Sequence, residues 1–343
     1  MATRVAINGF GRIGRMFLRS VIQNPGDVEV VAINDLADRE NLAYLLSYDS
    51  AQGPLHATVS LSDDGLIVNG APIRVLSERD PAQLPWAAMN VDIVVEATGL
   101  FTKRNDAAKH LEAGAKKVII SAPAKDPDLT VVMGVNDDLY RPDEHNIVSN
   151  ASCTTNCLAP VAKVVMDNFG IETGFLTTCH AFTSTQGLID RPDKKDVRRG
   201  RAASMSIVPS STGAATAVAT VLPELAGKLD GMALRVPTVT GSVVDFVVRT
   251  EKPISADLLL SAFRGAASSS MLGVLGLAPA PLVSCDIIGS PLSSIIDTQS
   301  TMVLGDYTAK ILAWYDNEYG YASRVKDLVQ MVGAKLAVTV HSA

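Results

Sequence analysis

Through the first 150 residues, short apolar and β-branched runs alternate with longer segments of helical periodicity. The runs are Val5-Ala6-Ile7, Val28 to Ile33, Val91 to Val95, Lys117 to Ile120, Thr130 to Met133 and Asn146 to Val148, and helical patterns fill residues 12 to 23 and 104 to 114. Strands that alternate with helices join in parallel through crossovers, so the pattern predicts a doubly wound, mostly parallel α/β sheet. Beyond residue 150, the apolar positions Leu158, Val161, Val164 and Val165 predict a helix that begins near Cys153, and GFLTTC (174–179) and MALRVP (232–237) read as strands.

The first run leads into INGFGRIGR, which sets Gly9, Gly11 and Gly14 at GxGxxG spacing between a strand and a helix. Glycine permits the tight turn, the close approach of a pyrophosphate to backbone, and the packing of helix on strand, and the phosphates then lie on the helix N-terminus. This predicts a Rossmann-type dinucleotide site. Asp35 ends the second run about 20 residues after the last glycine, where its carboxylate accepts from ribose hydroxyls and repels a 2′-phosphate. Leu36 offers a phosphate no donor, so NAD is favoured over NADP. The competing role for Asp35 is to cap the next helix, as Asp38 and Asn41 also can.

The whole chain of 343 residues is long enough for two cores, and 47% apolar against 19% charged residues argues against disorder. A net charge of -6 disfavours nucleic acid or an anionic membrane as the main partner. No apolar run reaches the ~18 residues of a spanning helix, and the N-terminus enters a strand-like segment with no signal-like apolar region, so a cytoplasmic protein is expected. The cysteines and the five histidines show no zinc spacing, and no metal is expected.

SNASCTTNC (149–157) places Cys153 at the start of the predicted helix, where N–H groups and the helix dipole favour a thiolate. Cys153 is therefore the candidate nucleophile. Cys157, one turn in, reads as a small buried residue, and Cys179 and Cys285 read as core. His180 sits where a strand gives way to a loop, a position that suits a structural or a catalytic histidine. The segment 183–201 carries Lys194, Lys195, Arg198, Arg199 and Arg201, then come Thr212 and Gly213 in SSTGAA, and Arg235 lies in a strand. Arginine pairs with phosphate in bidentate fashion, and hydroxyls with glycine N–H groups complete such sockets; the plain alternative is a solvated basic loop.

Taken together, INGFGRIGR, SNASCTTNC, HAFT, IVPSSTGAA, LRVPT and WYDNEYGYASR resemble the phosphorylating, NAD-dependent glyceraldehyde-3-phosphate dehydrogenase family in order and spacing, from about residue 3 to residue 336. The resemblance implies an NAD-binding domain of residues 1–150 plus 318–337, whose final helix returns to it. Residues 151–317 would form an α+β catalytic domain with an antiparallel or mixed sheet. It implies Cys153 as nucleophile and His180 as base, acting on glyceraldehyde 3-phosphate and inorganic phosphate. Thr183, Arg198 and Arg235 would hold the substrate phosphate, and Ser152, Thr212 and Gly213, with Thr154 beside them, the attacking phosphate. For the cofactor it implies Arg12 and Ile13 at the pyrophosphate, Asp35 at the ribose, Arg79 near the adenine, Ser121 further along and Asn317 at the carboxamide. Pro192 matches the NAD-using form of the family, which implies a homotetramer.

Two departures stand out. Thr216 occupies a position where the family commonly has lysine, and VPTVTGSVVDF lacks the commoner Pro-Asn or Pro-Asp after LRVPT. Loss of a cation near phosphate removes a charge-assisted contact worth about 1.5–3 kcal/mol. The tail after residue 337 carries no cysteine, so no redox clamp is expected there. The alternatives are an erythrose-4-phosphate dehydrogenase and, from another class, a cofactor- or RNA-binding paralogue without turnover.

Overall fold

The computed structural model describes residues 2–341; Ser342 and Ala343, the end of the cysteine-free tail, lie outside the described residues. The chain divides into two compact units. Residues 1–131, 137–151 and those from Ala322 onward form one, and residues 132–136 with 152–321 form the other.

The first unit is built on a nine-stranded sheet. Strand β1 (Thr3–Asn8) lies at its middle, followed by helix α1 (Arg12–Gln23) and strand β2 (Val28–Asn34). β2 pairs with β1 on one side and Ile93–Glu96 pairs with it on the other, both in parallel. Strand order therefore reverses at β1, which leaves a crevice beyond the carboxyl ends of these three strands. Beyond Ile93–Glu96, Lys117–Ile120, Ile147–Ser149 and the two-residue Leu129–Thr130 extend the sheet in parallel. These strands have no exposed positions, as expected of a sheet covered on both faces. The expected strand 130–133 stops after Thr130 because the chain turns: Val132 N donates to Asn136 Oδ1 at 2.9 Å, and Gly134 adopts a φ of 78°. The helix expected over 104–114 is two short pieces, Arg104–Ala107 and Lys109–Glu112, joined through Ala108.

On the other edge, Val59–Leu61, Gly65–Val68 and Ala71–Leu76 add an antiparallel meander that joins the sheet parallel to β2. The apolar pattern did not predict it, because these strands are short and partly exposed. Its signal was Asn69-Gly70, whose φ angles of 49° and 83° form the two-residue turn that suits a hairpin's twist. The helix Tyr319–His341 docks within this unit: Gly333 lies against Thr3, Lys326 Nζ donates to Asn24 O, and Lys335 Nζ donates to Tyr140 O.

The second unit carries an eight-stranded mixed sheet. Thr173–Ala181 runs parallel to Leu229–Val236 and antiparallel to Ser242–Arg249, which pairs with Thr308–Tyr315. The helix Cys153–Phe169 packs across this sheet with twelve of its 17 residues buried. The observed architecture is thus the expected pair of sheets, one mostly parallel and one mixed. Among the described residues no helix is long and apolar enough to cross a membrane.

The three motif glycines have three separate physical reasons. Gly9 has a φ of 90° and lies against the Ala97–Thr98 backbone; a Cβ on Gly14 would come within 2.2 Å of Gly9 O; a Cβ on Gly11 would meet nothing within 4 Å. Gly14 is thus needed for packing, whereas Gly11 keeps a surface open. Replacement of Gly14 by alanine should cost about 1–3 kcal/mol through overpacking against backbone. Gly11→Ala, at the helix cap, should cost under about 1 kcal/mol. Urea unfolding of the two variants measures the difference, and equal losses would refute this division of roles.

Candidate active site

In the first unit, the crevice at the strand reversal is lined by Asn8, Gly9 and Gly11 after β1, by Asn34, Asp35 and Leu36 after β2, by Glu78 and Arg79, and by Ala97, Thr98, Leu100 and Phe101. Four expected cofactor residues, Gly9, Gly11, Asp35 and Arg79, therefore share one pocket. Asp35 accepts from Phe10 N at 2.7 Å and from Ala37 N at 3.0 Å. Each carboxylate oxygen keeps a lone pair for a sugar hydroxyl. Arg12 and Ile13 form the first turn of α1, but the Arg12 guanidinium is bound in bidentate fashion to the buried Asp49. Its charge is thereby neutralised, so the helix start can offer a phosphate N–H groups and its dipole. Asp49 also accepts from Ala51 N and Gln52 N, and burial works against the hydrogen bonds that hold its carboxyl below the usual range. Ser121 Oγ donates to Glu96 O at 3.1 Å.

In the second unit, Ser152 caps the Cys153–Phe169 helix: its Oγ accepts from Thr155 N at 3.1 Å. That fixes Cys153 as the first helical residue, with a backbone N–H that has no intrahelical acceptor. Cys153 Sγ lies 3.3 Å from His180 Nε2. Parallel register places His180 directly beside Arg235, and Arg235 NH1 reaches His180 Nδ1 at 2.6 Å. Because a guanidinium only donates, Nδ1 accepts in this arrangement and Nε2 carries the proton toward the sulfur. Ala181 O lies 2.7 Å from Nδ1 and is its acceptor when Nδ1 is protonated. Burial, then the Arg235 charge, pull the His180 imidazolium down to about 3, against the opposing Ala181 carbonyl. Burial pushes the Cys153 thiol up, while Arg235 and the hydrogen bonds from Thr154 pull it back; Cys153 also keeps some accessible surface, which weakens the push. Both shifts favour a thiol beside a neutral imidazole over a thiolate–imidazolium pair.

The other expected residues divide. Thr154 gives its hydroxyl to a buried bridge in which Tyr315 OH lies 2.9 Å from both Thr154 Oγ1 and Thr178 Oγ1, so it braces the helix start against two strands. Asn317 Oδ1 accepts from Ser242 Oγ at 2.7 Å, and Ser242 Oγ in turn accepts from Ala181 N. Since the Ser242 proton is committed to Asn317, the Asn317 amide is oriented with its NH₂ group available to donate. Thr240, at one departure from the family pattern, donates to Asp316 Oδ1 at 3.1 Å, and Gly241 fits against Ser284 O with a φ of 85°. Thr183 bonds Thr185, Thr212 Oγ1 accepts from Ala214 N, and Gly213 precedes the helix Ala214–Val221, on which Thr216 is exposed. No hydrogen bond or ion pair joins Thr183, Arg198, Thr212 or Gly213 to Cys153, His180 or Arg235 among the described residues. Arg198 is paired with Asp196; at Arg235 burial is the main influence lowering its proton affinity, and the like charge of Arg199 adds to it in a small way.

Sequence reasoning missed Tyr315, Thr178 and Ser242, each on a buried strand position that resembles ordinary core; it named Arg199 only as one cation of the basic segment. Of the other thiols, burial pushes Cys157 up to about 12, which makes it inert. Cys179 and Cys285 correct the expectation that both are core: Cys179 is half-buried, and Cys285 is exposed on the short turn Ser284–Ile287, where strand alternation does not apply. No group of three or more His, Cys, Asp or Glu side chains suited to a metal occurs among the described residues.

Comparison with known proteins fits both halves. Residues 3–104 match the family model described as glyceraldehyde 3-phosphate dehydrogenase, NAD binding domain, and residues 152–317 match its C-terminal domain. The chain belongs to the glyceraldehyde-3-phosphate dehydrogenase family. It is 56% identical over 335 residues to glyceraldehyde-3-phosphate dehydrogenase of Geobacillus stearothermophilus, covering 98% of this chain and 99% of that protein. It is 55% identical, with the same coverage, to glyceraldehyde-3-phosphate dehydrogenase 1 of Bacillus subtilis, and 52% identical to the Streptomyces coelicolor enzyme over 98% of this chain and all of that one. The NAD-binding model covers the glycine loop, Asp35 and Arg79, and the C-terminal model covers every residue from Ser152 to Asn317 described above.

The lowered His180 affinity for protons has a signed consequence. In the unfolded chain this histidine binds a proton below its ordinary value of 6.5, and in the fold only near 3. The unfolded state therefore holds more protons across that window, and its share of stability, present above pH 6.5, is lost as pH falls toward 3. His180→Gln should flatten the decline of unfolding free energy by up to about 1.4 kcal/mol per pH unit there. Urea titrations between pH 4 and 7 measure the slope; an unchanged slope would contradict the buried, neutral state.

Proposed function

We propose that this chain oxidises glyceraldehyde 3-phosphate to 1,3-bisphosphoglycerate with reduction of NAD and uptake of inorganic phosphate, as a cytoplasmic enzyme of glycolysis and gluconeogenesis. The observation that carries this reading is the Cys153 sulfur at a capped helix start, 3.3 Å from an imidazole that register holds beside Arg235. The residues around the first unit's crevice fit NAD: Gly11 leaves open backbone for a pyrophosphate, and Asp35 retains acceptors for the ribose.

The chemistry follows from the proton positions. An anionic substrate phosphate draws Arg235 from His180 Nδ1, with Thr183 as partner and Arg198 or Arg199 as a further cation. Once the Arg235 charge is met by the phosphate and drawn off Nδ1, the ring changes tautomer by exchange of its one proton through solvent, so that Nδ1–H donates to Ala181 O and Nε2 becomes a base toward the sulfur. The Cys153 thiol then adds to the aldehyde carbon, its proton passing through His180 to the carbonyl oxygen, which gives a hemithioacetal. NAD, when bound, would supply the hydride acceptor, with Asn317 as the residue that would hold its carboxamide. As hydride leaves the carbon, His180 takes the hydroxyl proton and an acyl thioester remains. An oxygen of inorganic phosphate, held by Ser152, Thr212 and Gly213, attacks the thioester carbon. The oxyanion is met by Cys153 N–H and the His180 Nε2 proton, and the carbon–sulfur bond breaks to release acyl phosphate and a thiolate, which takes back the proton held on His180 and restores the starting pair.

A homotetramer accords with the surface of the second unit. Leu188, Ile189, Val197, Met205 and Ile207 are exposed on one loop segment, and Phe175, Val247 and Leu304 on its sheet. An apolar surface of this extent favours protein contact. The four unpaired thiols suit a reducing compartment.

The test is NADH formation from glyceraldehyde 3-phosphate with and without phosphate or arsenate. Turnover should require the oxyanion, and Cys153→Ser should lower it by at least about a thousandfold, as loss of a covalent nucleophile does. Silence of the unaltered chain despite NAD binding would overturn the assignment. For cofactor choice, Asp35→Ala with Pro192→Ser should admit NADP, read as a rise in kcat/KM for NADP of about tenfold or more once the carboxylate that repels a 2′-phosphate is gone. Continued rejection of NADP would disprove that basis for selectivity.

A further inference from the structure

Beneath the nucleotide crevice runs a polar network that the reaction does not use. The Glu96 side chain is fully enclosed, as is that of His110. Glu96 Oε2 accepts from Asn8 Nδ2 at 2.5 Å and faces His110 Nε2 at 3.1 Å, while Oε1 accepts from Thr98 N at 2.8 Å and from the Thr98 hydroxyl. Behind them Trp86 Nε1 donates to His110 Nδ1 at 3.0 Å. An indole only donates, so Nδ1 is an acceptor and the imidazole proton lies on Nε2, pointed at Glu96. The Glu96 carboxyl group thus receives four hydrogen bonds, which offset its removal from water.

Three of those donors, from Asn8 and Thr98, belong to walls of the crevice. Thr98 begins the turn to Leu100, whose N–H donates to Thr98 Oγ1 at 3.0 Å, and Gly9 rests on the Thr98 backbone. Asn8 Oδ1 accepts from Asn34 Nδ2 at 2.7 Å, and Asn34 Oδ1 accepts from Glu78 N at 2.8 Å while its Nδ2 donates to Glu78 O. Asn8, Asn34, Glu78 and Thr98 all line the pocket; Trp86 and His110 do not. One hydrogen-bonded chain therefore sets the spacing of three strand ends and two loops around the space where Asp35 offers its ribose acceptors.

We propose that Glu96, oriented from behind by His110 and Trp86, is a positioning residue for the adenosine half of NAD. It fixes the crevice walls before the cofactor arrives, so its effect falls on cofactor affinity rather than on the chemical step. Glutamine at 96 replaces one acceptor oxygen with an NH₂ group that faces two donors, and the whole chain of bonds must then rearrange. Trp86→Phe keeps the ring in the core but removes the donor that fixes the His110 proton on Nε2.

The inference rests on NAD being the cofactor, and the experiment separates the two. Binding of NAD and of ADP-ribose to the full chain is measured by titration calorimetry, alongside melting temperature and steady-state kinetics. Glu96→Gln should weaken both ligands by about tenfold and Trp86→Phe by about two- to fivefold, the scale of one lost hydrogen bond to a charged or a neutral group. KM for NAD should rise in parallel, with kcat at saturating NAD and KM for glyceraldehyde 3-phosphate unchanged within about twofold. Folded variants with a lower melting temperature but unaltered NAD affinity would show a merely structural role and overturn the proposal, as would weaker NAD binding with ADP-ribose unaffected. If Glu96→Gln does not fold, Trp86→Phe decides by the same criteria. Failure of the unaltered chain to bind NAD would instead defeat the cofactor reading and this inference with it.

Discussion

Register between two parallel strands governs the reactive centre. Thr173–Ala181 and Leu229–Val236 pair so that His180 and Arg235 are lateral neighbours, and a slip of one residue would send their side chains to opposite faces. A cation held against an imidazole nitrogen decides which nitrogen bears the proton, and so whether the other one donates to a sulfur or takes its proton. The helix cap at Ser152 supplies the second coordinate by fixing where the sulfur starts. Tyr315 ties the two together, since its hydroxyl touches both the helix start and the strand that carries His180. Cys153 and His180 are therefore positioned mainly by helix and strand hydrogen bonding, with side chains serving as braces.

The nucleotide half solves a different problem. A parallel sheet whose order reverses at β1 leaves several strand ends diverging around a gap, and nothing in the sheet's own bonds controls the width of that gap. Buried polar side chains supply the missing constraint, at the cost of removing a carboxylate and an imidazole from water. Such groups are tolerated in a core when they are hydrogen-bonded, and here the hydrogen bonds run from Trp86 to Glu78.

Much of this was legible in the sequence because it is local or periodic. The glycine spacing, Asp35 and the helix after Cys153 all follow from patterns within a few residues, and the alternation of apolar runs and helices foretold the doubly wound sheet. What escaped depends on partners distant in the chain. Tyr315 is 161 residues from Thr154, and Glu96 is 88 from Asn8, so neither pairing leaves a trace in spacing. Arg198 and Arg199 are indistinguishable as neighbours in a basic loop; only the fold shows that Asp196 occupies one while the other bears on Arg235. Cys285 was misread for the opposite reason, since its apolar neighbours suggested a strand where the backbone makes a tight turn.

The pairing of Arg12 with Asp49 also bears on how a ligand reaches the glycine loop. With that guanidinium paired to an adjacent carboxylate, what the helix start offers an anion is aligned dipoles, whose field decays with distance faster than that of a net charge. Such attraction is short-ranged, so an anion gains most from this corner at contact and little on the approach.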